Sequence, residues 1–562
     1  MKKYFWIIIL AGITIHLSGQ TGNRELRERI FLQTDKQTFL SGELIQMKLV
    51  TVNTEGIPII FSKVAYAELV EDTTGRVQIA IALTNGIGEG IMQLPADLPT
   101  GNYRLIAYTQ FMRNEGLEVF FEKKLGIVNT FQSGYYPEHP EKQDENENPF
   151  RDSNSGNIIL HPDKSTYKKR EHGELILSGL PEHIHTLSVS VAGMDLILSD
   201  KNSVSTWHRY QIPKPAGLSG EFPPEYEGPV ITGQIMDNQT EKAVNDIEPL
   251  TTGLSFPGDG IRFYTGQNSK DGIVRFFTSG NTGMNNIATI VYNTNDRYRV
   301  DILSPFVTRF APKALPRLYI DSACYYPLLA RSVALQATRF LLDDPFEKCS
   351  TTNPAFKLQP TNSYLLDEYT RFTSMREVFI EFIKGARFRR NDGKWELSAV
   401  VRNDADSYYG TNTLVLMDGA PVSSHDLVYN YDPLLVEQIN IYNYPCNFGE
   451  TVFDGIIEIK TYRSMYQDLN YDRSTQIIPY ESPQSFEKIP VPDYAVEKNR
   501  NSRTPDSRHT LLWEPDVKTD GKPVIRIPFG TSDLAGEYQI TVEGITKDGK
   551  IIYASSFFMV EP

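Results

Sequence analysis

Asp35-Lys36-Gln37-Thr38-Phe39 begins a pattern that continues with Gly42-Glu43 and a strand from Leu44. This pattern occurs twice in the chain, and the repeat indicates the class of fold. It returns as Asp163-Lys164-Ser165-Thr166-Tyr167, followed by Gly173-Glu174 and a strand from Leu175. Each copy predicts a strand that ends in a buried aromatic residue, then a turn in which Gly adopts positive φ, then a returning strand. We therefore expect two β units built on one plan.

Short strand patterns dominate the rest of the chain. β-branched and aromatic residues alternate or cluster between Gly, Pro, Asn and Asp turns, which is typical of β-sandwiches. The pattern predicts strands at residues 44–50, 64–69, 77–83, 103–108 and 187–191. Apolar residues at three- and four-residue intervals predict helices largely at residues 328–342 and 375–382.

Length and charge narrow the range of functions. The 562 residues, of which 40% are hydrophobic, suffice for three to five packed domains of about 100 to 200 residues each. The formal charge of −14 is spread along the chain and argues against a nucleic-acid partner held by a basic surface.

The first residues predict export. Lys2 and Lys3 precede an apolar run that ends at Leu17, and Ser18 and Gly19 suit a signal peptidase, so residues 1–19 are expected to be a signal peptide. No later segment is apolar enough to span a bilayer. We expect an exported protein in the periplasm or at the outer membrane, with surface exposure left open. Of the three cysteines, Cys324 and Cys349 could form a bridge, but their spacing does not establish one.

The repeated stretch carries a family resemblance. Residues 29–36, Gly42-Glu43 and the Thr-Gly-Asn-Tyr sequence at 100–103 resemble the macroglobulin (MG2-like) sandwich of α2-macroglobulins and of exported Bacteroidetes proteins. The resemblance implies β-sandwiches at residues 25–128 and 158–225. The residues between them at 137–157 are rich in Pro, Glu, Asp, Asn and Ser, which predicts a linker. A C-terminal macroglobulin-like sandwich segment is expected at 506–562, where Gly536 and Tyr538 repeat the arrangement of Gly101 and Tyr103.

Two further units lie between these segments. Residues 228–305, with a strand pattern from Val230 and an Asp271-Gly272 turn, resemble a carboxypeptidase regulatory-like sandwich, which is structural in most settings. A partly helical connector is expected at 306–360. A linker rich in Pro and Ser is expected at 478–505.

The segment 361–465 resembles the plug domain of TonB-dependent receptors. The resemblance rests on a strand with an Asp418-Gly419 turn, on a second strand near 434–442, and on Gly449 and Gly455. A receptor barrel of about 22 strands does not fit in the 100 residues after Tyr462. We therefore expect a small α+β plug-like domain without a barrel. Asp418, Gly419, Gly449 and Gly455 are its candidate interaction and turn motif.

Three patterns in the sequence could indicate catalysis or metal binding, and each has a structural explanation. Cys446-Asn447-Phe448-Gly449-Glu450 lacks the adjacent Gly and the Gln of a macroglobulin thioester, and the Ser165-x-x-Lys168 pattern lies in a predicted strand without its companion motifs. His183 and His185 lack a nearby third metal ligand. No catalytic, cofactor-binding or metal-binding residue is assigned, and no enzyme activity is expected.

The expected fold class is mainly β and multidomain, with macroglobulin-like or immunoglobulin-like sandwiches and the small plug-like domain. The expected function is that of a non-catalytic binding or scaffold protein of the bacterial envelope, with an outer-membrane transporter or assembly component as its partner. One alternative is a macroglobulin-type protease inhibitor without a thioester. Another is a surface adhesin that binds glycan or host protein, for which Tyr408 and Tyr409 are the first candidates. The oligomeric state stays open.

Overall fold

The computed structural model of the protein describes residues 26–132, 157–194, 211–214, 217–294, 296–318, 320, 324–341, 356–402, 407–485, 489, 491–519 and 521–562. The predicted signal peptide, all but the last residue of the predicted linker at 137–157, and Cys349 lie outside the described residues. Strands hold 46% of the residues and helices 10%, which confirms the mainly β, multidomain class.

Sandwich 1 contains the first copy of the repeated stretch. Its strands are β1 (Arg29–Thr34), β2 (Thr38–Leu40), β3 (Leu44–Val52), β4 (Val64–Glu71), β5 (Thr74–Thr84), β6 (Ile87–Gln93), β7 (Gly101–Tyr108) and β8 (Phe121–Val128). Their order is β1-β3-β6-β5-β4-β7-β8-β2, and the long β5 joins the two layers because it pairs with both β4 and β6. Phe39 is buried in the core, as the sequence predicts, and Tyr103 is buried there too.

The second copy begins sandwich 2 with β9 (Ile159–Pro162), β10 (Thr166–Tyr167), β11 (His172–Ser178) and β12 (Ile184–Gly193). In the first copy, Gly42 has the predicted positive φ of 92°. In the second copy, this prediction is wrong. Three extra residues place the left-handed conformation at Arg170, while Gly173 lies inside β11, where an added Cβ would come within 2.7 Å of the Tyr167 ring.

Sandwich 3 follows, with β13 at its centre. Its first strands are β13 (Val230–Asp237), β14 (Lys242–Ala243), β15 (Thr251–Ser255), β16 (Phe263–Gln267), β17 (Ile273–Phe277), β18 (Met284–Val291) and β19 (Tyr298–Ile302). One sheet joins β14, β13 and β17, with β19 also paired to β13, and the other joins β16, β15 and β18.

Helix α1 (Tyr325–Leu341) leads to an α+β domain. The elements of this domain are β20 (Asn362–Leu365), α2 (Met375–Glu381), β21 (Ala386–Asn391), β22 (Lys394–Arg402), β23 (Ser407–Tyr409), β24 (Thr413–Met417), β25 (Ala420–Pro421), α3 (His425–Tyr429), β26 (Val436–Tyr442), β27 (Cys446–Phe448), β28 (Thr451–Phe453) and β29 (Gly455–Thr461). The main sheet has the order β20-β26-β29-β24-β25, in which β24 and β29 are parallel. Both predicted helices are confirmed, as α1 and α2.

After the α+β domain, the chain returns to sandwich 3. Strand β30 (Thr475–Glu481) pairs with β18, with Ile478 opposite Ile287, and completes the second sheet. The predicted linker at 478–505 therefore begins inside a strand, because Ile478 packs against the core of sandwich 3. The rest of that segment includes the short helix α4 (Glu497–Arg500).

The last strands return to sandwich 2. They are β31 (Thr510–Glu514), β32 (Val524–Gly530), β33 (Gly536–Thr546) and β34 (Ile551–Val560). They form the sheets β10-β34-β33-β12-β31 and β32-β11-β9 with the strands of the second copy. The segments 158–225 and 506–562 were expected as separate units, but their strands share two sheets and one core. The α+β domain thus lies within sandwich 3, and sandwich 3 within sandwich 2.

Candidate binding cleft at the junction of the domains

The nested path of the chain brings three segments together around one cleft of about 600 Å³, here called the junction cleft. One wall is the repeated stretch of sandwich 1, a second is helix α1, and the third is the segment that leads into β31. The lining residues used below are Asp35, Lys36, Glu43, Leu44, Gln46, Arg331, Leu335, Val491, Pro492, Tyr494, Asp506, Arg508, Thr510 and Trp513.

Asp35 links sandwich 1 to sandwich 2 at the base of the junction cleft. Its carboxylate accepts hydrogen bonds from the backbone amide of Gln46 at 3.2 Å and from the Thr510 hydroxyl at 2.6 Å. The Lys36 ammonium lies 3.1 Å from the same carboxylate. In the second copy, Asp163 accepts from the Glu174 amide at 2.7 Å, so the aspartate has the same local role in both sandwiches.

Arg331 of helix α1 forms an ion pair with Glu43 of sandwich 1. Its Nε and Nη2 donate to the two carboxylate oxygens of Glu43 at 2.7 and 2.6 Å, and Nη2 also donates to the Thr38 carbonyl. Both residues of the pair are buried. Burial alone would raise the pKa of Glu43, but Arg331 and Lys36 lower it to about 2. The pair therefore stays ionised across the neutral and mildly acidic range.

The third wall is held by a second internal ion pair. Arg508 donates through Nε and Nη2 to Asp506 at 2.8 and 2.6 Å, and the Tyr494 hydroxyl donates to the same carboxylate at 2.8 Å. The amide of Asp506 donates to Asp533, which is paired with Arg170 of sandwich 2. This wall is thus anchored to sandwich 2 by charged hydrogen bonds.

The chemistry of the junction cleft favours binding of an apolar group. Its charged side chains Lys36, Arg331 and Arg508 are paired with Asp35, Glu43 and Asp506. Apolar side chains supply most of the exposed lining surface, among them Leu44, Leu335, Val491, Pro492 and Trp513. Uncharged polar side chains such as Asn499, Ser502 and Thr504 complete the lining. An apolar concave surface with a few oriented polar groups is the usual form of a ligand site, and the volume lies in the usual range for one.

The residues predicted as the interaction motif lie elsewhere, in the α+β domain. Asp418 and Gly419 have positive φ values of 48° and 82° and form the tight turn between β24 and β25. Gly449, with φ of 57°, lies between β27 and β28, and Gly455 begins β29. None of the four lines the junction cleft.

Three of these four residues contact or support the neighbouring sandwich 3. The Asp418 carbonyl accepts from the Gly258 amide at 2.8 Å, and a Cβ on Gly419 would lie 3.0 Å from Gly258 backbone atoms. A Cβ on Gly449 would lie 3.3 Å from the Thr265 hydroxyl. The Asp418 carboxylate accepts from the Thr461 amide and hydroxyl, both at 2.7 Å, and burial raises its pKa.

A shared apolar core extends this contact. Phe263 and Ile290 of sandwich 3 pack with Leu414, Leu416 and Phe453 of the α+β domain in one buried cluster. One face of the five-stranded sheet is therefore covered by sandwich 3. The predicted turn motif occupies the edge of that contact, and its proposed role in binding a partner stays a prediction.

Two other sequence features have simple environments. Cys446 is a buried free thiol in β27, and burial raises its pKa to about 11, which disfavours the nucleophilic thiolate. His183 precedes β12 in the left-handed conformation, so it does not share a strand face with His185. Within the described ranges, no group of three or more His, Cys, Asp or Glu could hold a metal ion.

The sequence reasoning missed most of the junction cleft. The repeated sequence predicts Asp35, Lys36 and Glu43 only as parts of a structural turn, and no sequence pattern assigns a binding role to Arg331, Asp506 or Arg508. A signal existed for the first three residues, because charged side chains next to a buried aromatic residue require partners when they are buried. No local pattern identifies Arg331 as the partner of Glu43.

Comparison with known proteins identifies no family for this chain. No protein-family model matches the sequence, and no curated protein matches it. A mutant of Salmonella α2-macroglobulin aligns with 95% of this chain and 39% of its own, at 10% identity and a TM-score of 0.24. The native conformation of Escherichia coli α2-macroglobulin aligns with 96% and 40%, at the same identity and score. The Yersinia pseudotuberculosis adhesin InvE aligns with 51% and 63%, at 9% identity and a TM-score of 0.13.

These alignments do not establish a common fold or a function. The chain spans about two fifths of the length of the two α2-macroglobulins. The described part of the chain contains no helix that is both long enough and apolar enough to cross a membrane.

Proposed function

We propose that this chain is a non-catalytic scaffold protein of the bacterial envelope and that it binds an outer-membrane protein through the junction cleft. The observation that carries the proposal is the composition of the cleft. Its charges are paired with one another, and most of its exposed lining surface is apolar. A concave apolar surface with a few oriented polar groups can hold an anchor side chain of a protein partner.

The nested architecture supports a scaffold role. Sandwiches 1 and 2 meet through polar contacts, among them the partly buried hydrogen bond between Thr510 and Asp35. Sandwich 3 and the α+β domain share an apolar cluster. The contact between Thr510 and Asp35 and the ion pair between Arg331 and Glu43 fix the walls of the junction cleft relative to one another. The ligand site therefore needs little ordering when the partner binds. The envelope location and the outer-membrane partner rest on the predicted signal peptide and on the plug-like resemblance.

Two alternative functions are a macroglobulin-type protease inhibitor without a thioester and an adhesin. The buried Cys446 thiol, with its raised pKa, disfavours only an inhibitor that forms a covalent adduct at this residue. An adhesin that uses the Tyr408–Tyr409 pair retains one exposed ring, since Tyr408 is exposed and Tyr409 is half-buried.

Site-specific photo-crosslinking tests the proposal. A benzoylphenylalanine residue is placed at Val491, which lines the junction cleft, and in a matched variant at Val524, which lies on β32 outside it. The two valines have similar exposure, 40% and 44%. In intact cells of the producing bacterium, we expect one outer-membrane protein to crosslink from position 491 and not from 524. Equal crosslinking at both positions, or none at 491, would contradict the proposal.

A further inference from the structure

Strand β21 carries three arginines on its two faces. Arg387, Arg389 and Arg390 lie in a chain whose formal charge is −14. Neighbouring residues of a strand point to opposite faces. Phe388 packs against Phe379 of helix α2, with ring centroids 5.0 Å apart, so its face is the core side. Arg387 and Arg389 therefore lie together on the opposite face of the β21-β22-β23 sheet, where Arg387 is exposed and Arg389 is half-buried.

The ring of Tyr409 lies near both guanidinium groups. The Cζ atom of Arg387 lies 3.4 Å from the centroid of the Tyr409 ring, and that of Arg389 lies 5.6 Å from it. Arg389 also donates through Nη2 to the Ser398 hydroxyl at 3.2 Å. A ring face attracts a guanidinium group through its quadrupole, so Tyr409 reduces the cost of holding two like charges side by side.

No carboxylate lies within ion-pair distance of Arg387 or Arg389 among the residues that the structure describes. Glu396 is directly opposite Arg389 in the sheet, but it accepts a hydrogen bond from Asn391 at 2.9 Å. This environment contrasts with that of Arg331 in the junction cleft, which is paired with Glu43. In the described part of the chain, the guanidinium groups of Arg387 and Arg389 are therefore available to an anionic ligand.

We propose that the face of β21 to β23 that carries Arg387, Arg389 and Tyr409 is a binding site for a phosphate group, here called the arginine site. Arg387 and Arg389 would donate to the phosphate oxygens, and Tyr409 would support both guanidinium groups from behind. The planar fork of N–H donors matches the oxygen spacing of phosphate, and two guanidinium groups balance the charge of its dianion. Inorganic phosphate and the phosphate of a lipid headgroup share this chemistry.

The arginine site is independent of the junction cleft. It is built only from the α+β domain, whereas the cleft is built from sandwiches 1 and 2 and from helix α1. A lack of phosphate binding would therefore leave the proposed function unaffected. A lack of crosslinking at Val491 would likewise leave the arginine site unaffected.

Binding of two probes tests the proposal on the full-length protein. Inorganic phosphate is titrated by calorimetry, and vesicles of phosphatidylglycerol and phosphatidylcholine in equal parts are used for co-sedimentation. The R387Q/R389Q variant is expected to bind at least about tenfold more weakly than the wild type. The matched control is R390Q, because Arg390 lies on the same strand but over the Trp395 ring on the opposite face. It is expected to bind within about twofold of the wild type.

Each outcome decides between sources or overturns the proposal. Binding of both probes indicates a lipid headgroup, and binding of inorganic phosphate alone indicates free phosphate. Lack of binding to both probes overturns the proposal, and so does an equal loss in R390Q, which would indicate only a diffuse charge effect. If the double variant does not fold, R387K provides the second test. It keeps the charge but loses the planar fork, and undiminished phosphate binding in R387K would also overturn the proposal.

Discussion

Tyr103 and Tyr538 make the same hydrogen bond in two different sandwiches. Each hydroxyl donates to the carbonyl of the residue four positions earlier, Pro99 at 2.8 Å and Leu534 at 2.9 Å. Each tyrosine also lies near the start of its strand, β7 or β33. The last strands β8 and β34 correspond as well, because each pairs in parallel with the short strand of its repeated stretch. Sandwich 2 therefore repeats the plan of sandwich 1 with sandwich 3 and the α+β domain inserted.

The ion pair between Arg331 and Glu43 is expected to contribute strongly to stability. R331M leaves the Glu43 carboxylate buried without its partner, which should lower the free energy of unfolding by about 3 to 5 kcal/mol. The control is R76M, since Arg76 pairs with Glu71 at 3.0 Å on the surface and should cost about 1 kcal/mol or less. Urea unfolding measures both. Equal losses in the two variants would show that helix α1 does not depend on this pair.

Acid should weaken the same contact. The pKa of Glu43 is lowered to about 2 in the folded protein, below its ordinary value of 4.5. A carboxylate with a lowered pKa contributes stability above its unfolded value and loses it as the pH falls through the folded value. The wild type should therefore lose more stability than the double variant E43Q/R331M between pH 4.5 and about pH 2. Parallel pH profiles for the two proteins would refute this assignment.

Glu225 should have the opposite effect at higher pH. Burial raises its pKa from 4.5 to about 8, and the neighbouring carboxylate of Glu28 adds to the shift. The folded protein keeps this proton where the unfolded chain has lost it, so stability should fall as the pH rises from 4.5 to about 8. The slope is at most about 1.4 kcal/mol per pH unit.

The variant E225Q tests this prediction. Gln keeps the acceptor that binds the Tyr66 hydroxyl and the Val230 amide, but it does not titrate. Thermal unfolding of E225Q should depend less on pH than that of the wild type across this window. Glu227 provides the control, because its side chain is exposed. The variant E227Q should therefore reproduce the wild-type profile. An E225Q profile as steep as that of the wild type would assign the dependence to another group.

The turn at Gly419 should be sensitive to a single methyl group. G419A introduces a side chain at φ of 82° and places Cβ 3.0 Å from backbone atoms of Gly258 in sandwich 3. Gly393 is a matched control, because its φ is 83° and no atom lies within 4 Å of an added Cβ. Backbone strain should cost about 1 to 2 kcal/mol in both variants. The contact should add about 1 to 3 kcal/mol in G419A alone, as measured by urea unfolding. Similar losses of stability in G419A and G393A would mean that the α+β domain and sandwich 3 are not tightly packed at this turn.

Much of the local structure could be predicted from the sequence. The alternating patterns at residues 44–50 and 187–191 became β3 and β12, and the apolar spacing at 328–342 became α1. The pairing of distant segments could not be predicted in the same way. Ile478 shows only a short apolar run, and nothing in that run identifies β18 as its neighbour.

One signal of the nesting was present in the sequence. The plan of sandwich 1 includes both the Asp35 stretch and the later Gly101 and Tyr103 pair. The second unit has the first feature at Asp163, but its Gly and Tyr pair occurs only at Gly536 and Tyr538. Matching these two halves predicts the discontinuous sandwich. The junction cleft could not be predicted, because it depends on which acidic residue Arg331 meets after folding.

The most direct test concerns the return of the C-terminal segment to sandwich 2, since that return forms one wall of the junction cleft. Ser178 and Val524 lie opposite each other in β11 and β32. Cysteines at these positions should form a disulfide on mild oxidation, because Cα atoms of paired strands lie about 4.5 to 5.5 Å apart. Peptide mass spectrometry should find the 178–524 link and should not find a link when the second cysteine replaces Val496. Failure to form the 178–524 link in folded protein would contradict the nested architecture.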